Sequence, residues 1–297
     1  MTGSPAALSD RGARFAMALP ALVVFAGFAL LPMALVFVLG FTSWDGLGTP
    51  AWTGAANWRA AMRDPVTQMS GWLTVKVMLI GWVVQTPISL FLGVFIAGRE
   101  RYRAVFAVIY FVPLLLSTTA IGITFRALLD PNFGLSTAPS LAFMAKDWLG
   151  DTDLVLYSII GVICWQFIPF HTLLYQAGVR QIPPVLYEAA RLDGAGRLAQ
   201  FWYITLPQLR YTIVTSSMLI LIGSLTYFDV IYVMTEGGPG EATRVLPLDM
   251  FLTAFRQREM GRASATAAFL VVAGLMLSLA MVRFSGFAKM RSQQEGL

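Results

Sequence analysis

Pro184-Val185-Leu186-Tyr187-Glu188-Ala189-Ala190-Arg191-Leu192-Asp193-Gly194-Ala195-Gly196, running on to Ile204-Thr205-Leu206-Pro207, is a polar, helix-then-break segment set between long apolar runs. A chain needs no such element merely to cross a bilayer. It needs one where something on the aqueous side must hold it. Gln181-Ile182-Pro183-Pro184 ends the preceding apolar run, because proline removes a backbone donor yet suits a first helical turn. Val185 to Arg191 then reads as a short helix, and Asp193-Gly194-Ala195-Gly196 stops it. Leu198 to Ile204 reads as a second short helix, closed before Pro207. The residues alone leave two readings open: an amphipathic helix lying on lipid headgroups, or a docking element for a partner.

The runs on either side decide the fold class. Of the 297 residues, 57% are hydrophobic and 12% charged, against about 45–50% and about 25% in an ordinary globular chain. A soluble core cannot hide that much apolar surface. A spanning helix needs about 20 mostly apolar residues, and six windows qualify: 15–41, 71–97, 104–126, 154–176, 211–234 and 263–282. The expected fold is an all-α membrane protein of six transmembrane helices. Residues 1–297 form a single transmembrane domain, with segment 184–207 on the cytoplasmic side between spans four and five. Trp44, Trp52 and Trp58 in the first external loop suit an interface belt. The polar stretch Met1 to Arg14 precedes an apolar run too long for a signal peptide and without a small-residue cleavage site, so it reads as retained.

Six spans put both termini on one side. Arg11, Arg14, Arg99, Arg101, Arg103, Arg180, Arg191, Arg197, Arg210, Arg283, Lys289 and Arg291 fall on that side, twelve of the 21 basic residues, and Arg59, Arg63, Lys76, Arg126, Lys146, Arg244, Arg256, Arg258 and Arg262 on the other. The excess is small and favours the cytoplasm; the Arg99-Glu100-Arg101-Tyr102-Arg103 turn argues for it, and Arg256, Arg258 and Arg262 argue against it. The net charge of +5 is therefore loop charge, and no nucleic-acid partner is expected. Lys76 can snorkel from a helix end, and Asp229 sits in the last turns of span five. No carboxylate lies mid-helix, where a proton-coupled carrier would need one. Cys164 is the only cysteine, so no intrachain disulfide forms, and the single His171 excludes a His-based metal cluster. No Gly-x4-Gly-Lys-Ser/Thr phosphate cradle is present. The chain is expected to be no enzyme and to carry neither metal nor cofactor.

Glu188-Ala189-Ala190-x3-Gly194-x9-Ile204-x-Leu206-Pro207 resembles, at every position, the signature of the integral membrane subunits of type I ABC importers. Phe228-Asp229-Val230-Ile231-Tyr232-Val233-Met234-Thr235-Glu236-Gly237-Gly238-Pro239-Gly240 is similar to sugar permeases related to the larger maltose-transporter permease. So are Asn57-Trp58 and Met260-Gly261-Arg262-Ala263-Ser264-Ala265. The first external loop is short, so the large external domain of that maltose permease is missing. The resemblance implies a multi-pass protein of a bacterial cytoplasmic membrane. Its implied partners are a second, homologous permease, a cytoplasmic ATPase dimer and an extracytoplasmic solute-binding protein. Glu188, Ala189, Ala190, Asp193, Gly194, Ile204, Leu206 and Pro207 would couple it to the ATPase, with Glu188 facing a basic group.

A sugar path needs neutral hydrogen-bonding groups and aromatic faces. Such groups occur as Gln85 and Thr86 in span two, Ser117, Thr118 and Thr119 in span three, Gln166 in span four, and Ser224, Thr226 and Tyr227 in span five. Pro169 is expected to bend its helix beside Gln166. The resemblance places sugar contacts near Leu114, Thr118, Gln166, Phe167, Ser224 and Tyr227. Each has a plainer reading, since Ser and Thr in spans commonly bond their own backbone. His171 reads as packing and Asp229 as structural or gating. Two rivals to a mono-, di- or oligosaccharide importer remain: a glycerol-phosphate-type importer, which calls for basic residues in the path, and an ATP-independent carrier, which calls for an intramembrane carboxylate.

Overall fold

The computed structural model describes residues 6–98, 101–137 and 146–285, with no side-chain detail for 6–14, 101, 104, 136, 284 and 285. Arg99, Glu100, Lys289 and Arg291 of the charge argument lie outside the described residues, and for Arg101 only the backbone is described. The chain divides into two compact units, Met1–Asp64 with Met250–Phe269 and Pro65–Asp249 with Leu270–Leu297.

The first unit opens with α1 (Ala6–Phe25), which runs through a π-helical turn (Ala26–Leu30) into α2 (Leu31–Leu39). A two-residue hairpin follows, β1 (Thr42–Ser43) against β2 (Ala51–Trp52), antiparallel with Thr42 opposite Trp52. Then comes α3 (Ala56–Arg63). Asn57 explains the loop's shape: its Nδ2 donates to the Gly40 and Thr42 carbonyls at 3.2 and 2.7 Å. Trp58 is half-buried. Its ring packs among Phe37, Phe41 and Phe269, and a side chain on Gly40 would reach within 3.0 Å of it. Trp52, by contrast, is exposed and stacks on Phe41. The Met260 amide donates to the Trp44 carbonyl at 2.9 Å, and Arg262 pairs with Asp64 and Glu259. Arg262, which counted against the basic bias, thus carries its own counter-charges.

The second unit is built on α4 (Pro65–Ile96) and α7 (Val155–Arg180). Thr67, Ser70, Thr74, Val77, Gly81, Gln85, Ser89, Gly93 and Ile96 of α4 are buried. Their three- and four-residue spacing forms one helix face, and it is rich in small and polar residues. Between membrane helices apolar side chains have no hydrophobic reason to meet, so small residues that permit close approach mark the contacts. Gly93 illustrates this: a Cβ there would stand 2.5 Å from Tyr175 Cβ and 3.0 Å from the Thr172 carbonyl. Alongside lie α5 (Arg101–Leu115), α6 (Thr118–Leu128), α11 (Arg210–Ser224) and α12 (Asp229–Thr235). A loop leads through α13 (Leu246–Phe251) and a π-helical turn (Leu252–Arg256) to α14 (Met260–Ser285).

Among the described residues four helices are long and apolar enough to cross a membrane: Phe15–Leu39, Pro65–Ile96, Val155–Arg180 and Met260–Arg283. The third and fifth sequence windows differ from the single helices expected. Window 104–126 is Val105–Leu115 plus Thr118–Leu128, bent by 96°, and window 211–234 is Arg210–Ser224 plus Asp229–Thr235, bent by 47°. Counting each pair as one span gives six. Pro113 removes a donor just ahead of the first break, and Ser117 is extended, with ψ 134°. α7 runs unbroken through Pro169.

Candidate functional site

Both breaks open onto one cavity of about 370 Å³. Unwound backbone is tolerated at membrane depth only where protein or a cavity covers it, so two breaks facing one cavity suggest a common purpose. The sequence-expected Leu114, Thr118, Phe167 and Tyr227 all line it. Thr118 opens α6, directly beyond the first break. Tyr227 sits in the second break, with its ring 5.6 Å from that of Phe167 and tilted by 31°. Gln166 and Ser224 stand behind the wall. The Gln166 amide donates to Thr118 Oγ1 at 2.9 Å, while its carbonyl oxygen is buried and unpaired. Ser224 Oγ donates to the Ile220 carbonyl at 2.7 Å, the plainer reading for a serine in a span.

The cavity also takes in residues that the sequence argument set aside or passed over. His171 lines it while its Nδ1 pairs with Ser216 Oγ at 3.0 Å. Asp229, the first residue of α12, is exposed at its edge. Phe170, Leu219, Gly223, Phe228 and Val230 complete the wall with Thr226. Gly223 is the one of these with a sequence signal, a small residue one turn ahead of Tyr227. None of the lining residues is Lys or Arg.

The second feature is the segment that opened the sequence analysis. α8 spans Pro184–Leu192 with Pro184 in its first turn. Its end is fixed by local chemistry. Gly194 takes φ +81°, the Ala195 amide donates to Ala190 O at 2.8 Å, and the Gly194 amide donates to Arg191 O at 3.1 Å. That pair of bonds around a left-handed glycine is a Schellman end. A side chain at Gly194 would meet nothing within 4 Å, so glycine is there for its φ.

The next part departs from expectation. α9 (Arg197–Gln200) does not close before Pro207 but passes through a π-helical turn, Phe201–Thr205, into α10 (Leu206–Gln208) and on towards α11. The π turn moves the backbone pairing to i→i+5, with the Leu206 amide on Phe201 O. Pro207 thereby falls in a first helical turn, where its missing donor is tolerated.

The signature residues divide by direction. Glu188, Ala189, Asp193, Gly194 and Pro207 are exposed, and Ala190 is half-buried. Ile204 and Leu206 point the other way, packing with Tyr187 and Phe201 on the buried group Leu90, Tyr175, Ile182 and Leu209. Tyr187 OH and Thr205 Oγ1, 2.9 Å apart, tie the two short helices together. Leu192 and Leu198 flank the turn, 90% and 72% exposed. The result is a stiff hook, anchored at its base and apolar at its tip.

Residues 85–289 match the family described as the binding-protein-dependent transport system inner membrane component. The chain is 32% identical to the "Probable ABC transporter permease protein YurN" of Bacillus subtilis, over 89% of this chain and 93% of that one. It is 27% identical to the arabinooligosaccharides transport system permease protein AraP of the same organism, over 95% and 91%. In fold it matches a chain of a bacterial alginate ABC transporter, crystallised with an alginate pentasaccharide-bound periplasmic protein. That match has a TM-score of 0.81 at 20% identity, covering 94% of this chain and 95% of that one.

Proposed function

The chain belongs to the family of binding-protein-dependent transport system inner membrane components, and from that membership we propose that it is the pathway subunit of an ATP-driven importer for a mono-, di- or oligosaccharide. It is an ABC transporter permease and a multi-pass membrane protein, a translocation component and not an enzyme. On our reading the two bent pairs each count as one span, giving six, and residues 1–297 work as one permease domain with both termini in the cytoplasm. It pairs with a second, homologous permease, a cytoplasmic ATPase dimer and an extracytoplasmic solute-binding protein.

The observation that carries this reading is the hook at residues 184–207. A Schellman end closes many helices of either kind. What favours docking is that the turn exposes Leu192 and Leu198 together while its base is packed on Leu90, Tyr175, Ile182 and Leu209, which presents the tip at one angle. α8 would enter a cleft on the ATPase, with Glu188 against a basic group and Leu192 and Leu198 buried in the interface. Nucleotide-driven closure would then pull on the hook, and its base on α4, α7 and α11 would pass the motion to the cavity.

The cavity's chemistry favours a neutral sugar. It offers aromatic faces at Phe167 and Tyr227, a hydroxyl at Thr118 and one carboxylate at its edge, Asp229. A phosphate would meet Asp229 with no cation to offset it. An ATP-independent carrier would leave the hook without a role. The name of AraP adds support for the substrate class.

Two measurements test the reading. Exposed Leu198 replaced by cysteine in a Cys164→Ala background is expected to react with an impermeant maleimide only when the cytoplasmic face is open; labelling in intact cells refutes the topology. Phe167→Ala and Tyr227→Ala are each expected to weaken apparent uptake affinity roughly 2- to 13-fold, the equivalent of about 0.5–1.5 kcal/mol for one lost aromatic or hydrogen-bonding contact. Unchanged affinity in both removes the cavity from the path.

A further inference from the structure

Gln85 is 0% exposed in α4, and among the described residues neither its amide nitrogen nor its amide oxygen has a partner in hydrogen-bonding geometry. Burying a primary amide with nothing to bond is costly. Its surroundings are polar enough to matter. Cys164 and Tyr227 are its side-chain neighbours, and Gly81, one turn earlier, leaves it room: a Cβ there would stand 3.2 Å from Gln85 Nε2.

Of these neighbours only Tyr227 reaches the cavity. Its ring faces Phe167 while its hydroxyl lies in range of Gln85 and Ser224. Ser224 has already given its proton to the Ile220 carbonyl. Gln85 can both donate and accept, so it can pair the tyrosine hydroxyl in either sense. The two are held differently. Gln85 sits within a 32-residue helix, whereas Tyr227 sits in the break between α11 and α12, whose bend is 47°. A modest change in that bend would move the hydroxyl relative to the amide.

We propose that Gln85 is a positioning residue of the transport path: its amide seats the Tyr227 hydroxyl when substrate loads the cavity, and so sets the stance of the Tyr227 ring against Phe167. This rests on the cavity being the path. It gives a role to a buried amide whose atoms lack an aligned partner in this state.

The test uses the assembled transporter and a tritiated pool of neutral oligosaccharides (arabinotriose, maltotriose and diacetylchitobiose). Gln85→Met keeps the shape and removes the hydrogen bond. An orphaned polar group replaced by an apolar one of similar shape costs little and can stabilise, so the variant is expected to melt at or above the temperature of the unaltered protein. Its apparent KM is expected to rise roughly three- to tenfold, the equivalent of one lost hydrogen bond, with maximal rate within about twofold. In a Tyr227→Phe background the same change is expected to do nothing further. An unchanged KM for Gln85→Met overturns the assignment, and so does a rise of equal size in both backgrounds. If Tyr227→Ala leaves KM unchanged, or the unaltered transporter takes up none of the pool, the path or substrate reading fails and this proposal falls with it. If Tyr227→Ala raises KM and Gln85→Met does not, only Gln85 is misassigned.

Discussion

Glu188→Lys is expected to abolish uptake while leaving the melting temperature of the permease where it was. Glu188 is exposed on α8 and makes no ion pair with any described residue. Nothing inside the chain is lost when it changes. Exposed substitutions of this kind usually cost within about 0.5 kcal/mol. Across the proposed interface the sign reverses. A lysine facing a basic group on the ATPase replaces attraction with repulsion, and like-charge contacts there cost several kcal/mol. The measurement is made on the complex purified with its partners: subunit retention, melting and uptake together. A weakened or uncoupled ATPase, normal melting and little uptake are expected. Full uptake with the ATPase retained means that α8 is a surface helix and not the grip.

The hook was legible from sequence because its chemistry is local. Pro184 in a first turn and Gly194 at positive φ act over three or four residues, and no tertiary contact is needed to foresee them. What followed was not legible for the same reason in reverse. Pro207 reads as a stop, but the five-residue π turn that ends at Thr205 absorbs it, and that turn is held in place by packing of Phe201, Ile204 and Leu206 on Tyr175 and Leu209. The breaks in windows three and five were hidden because a hydropathy window averages over the two and four residues that leave the helix there. Pro113 hinted at the first; at the second, Thr226 and Tyr227 gave no such sign. At the cavity, Leu114, Thr118, Phe167 and Tyr227 line one wall, while Gln166 and Ser224, named with them by the resemblance, are not part of it. His171 joined the lining residues because burial against Ser216 and a place on the wall are compatible, which a choice between packing and ligand did not allow for. Asn57-Trp58 and Met260–Ala265 carried the resemblance and turn out to be architectural, fixing the first external loop to the start of α14 within one unit.

Asp249→Ala is expected to be the most destabilising of these changes. Asp249 is buried, with its side chain 1% exposed. Arg244 Nη2 stands 2.8 Å from its Oδ1, off the hydrogen-bond angle, so the contact is an ion pair and not an aligned bond. Thr67 Oγ1 donates to Oδ2 at 3.0 Å, and Arg244 also meets Glu241 at 2.9 Å. Two helical turns along α4, Thr74 Oγ1 accepts the Leu246 amide at 2.8 Å. These contacts pin the loop after α12 to α4, and α12 carries Asp229 and Val230 of the cavity wall. Removing the carboxylate strands most of a buried cation. Such breaks cost about 3–5 kcal/mol, and the lower end applies because Glu241 keeps hold of Arg244. A loss of about 3 kcal/mol lowers Tm by roughly 6–12 °C in a chain of this size. If the cost is an orphaned charge, removing its partner should recover most of it, since a buried pair exchanged for apolar residues of similar volume is often neutral. Arg244→Met combined with Asp249→Leu is therefore expected to melt well above Asp249→Ala. A double variant no more stable than the single one would place the value of the pair in its geometry and not in its charge balance. A single variant within about 2 °C of the unaltered protein would mean that the loop is held by the Thr74 bond and packing alone.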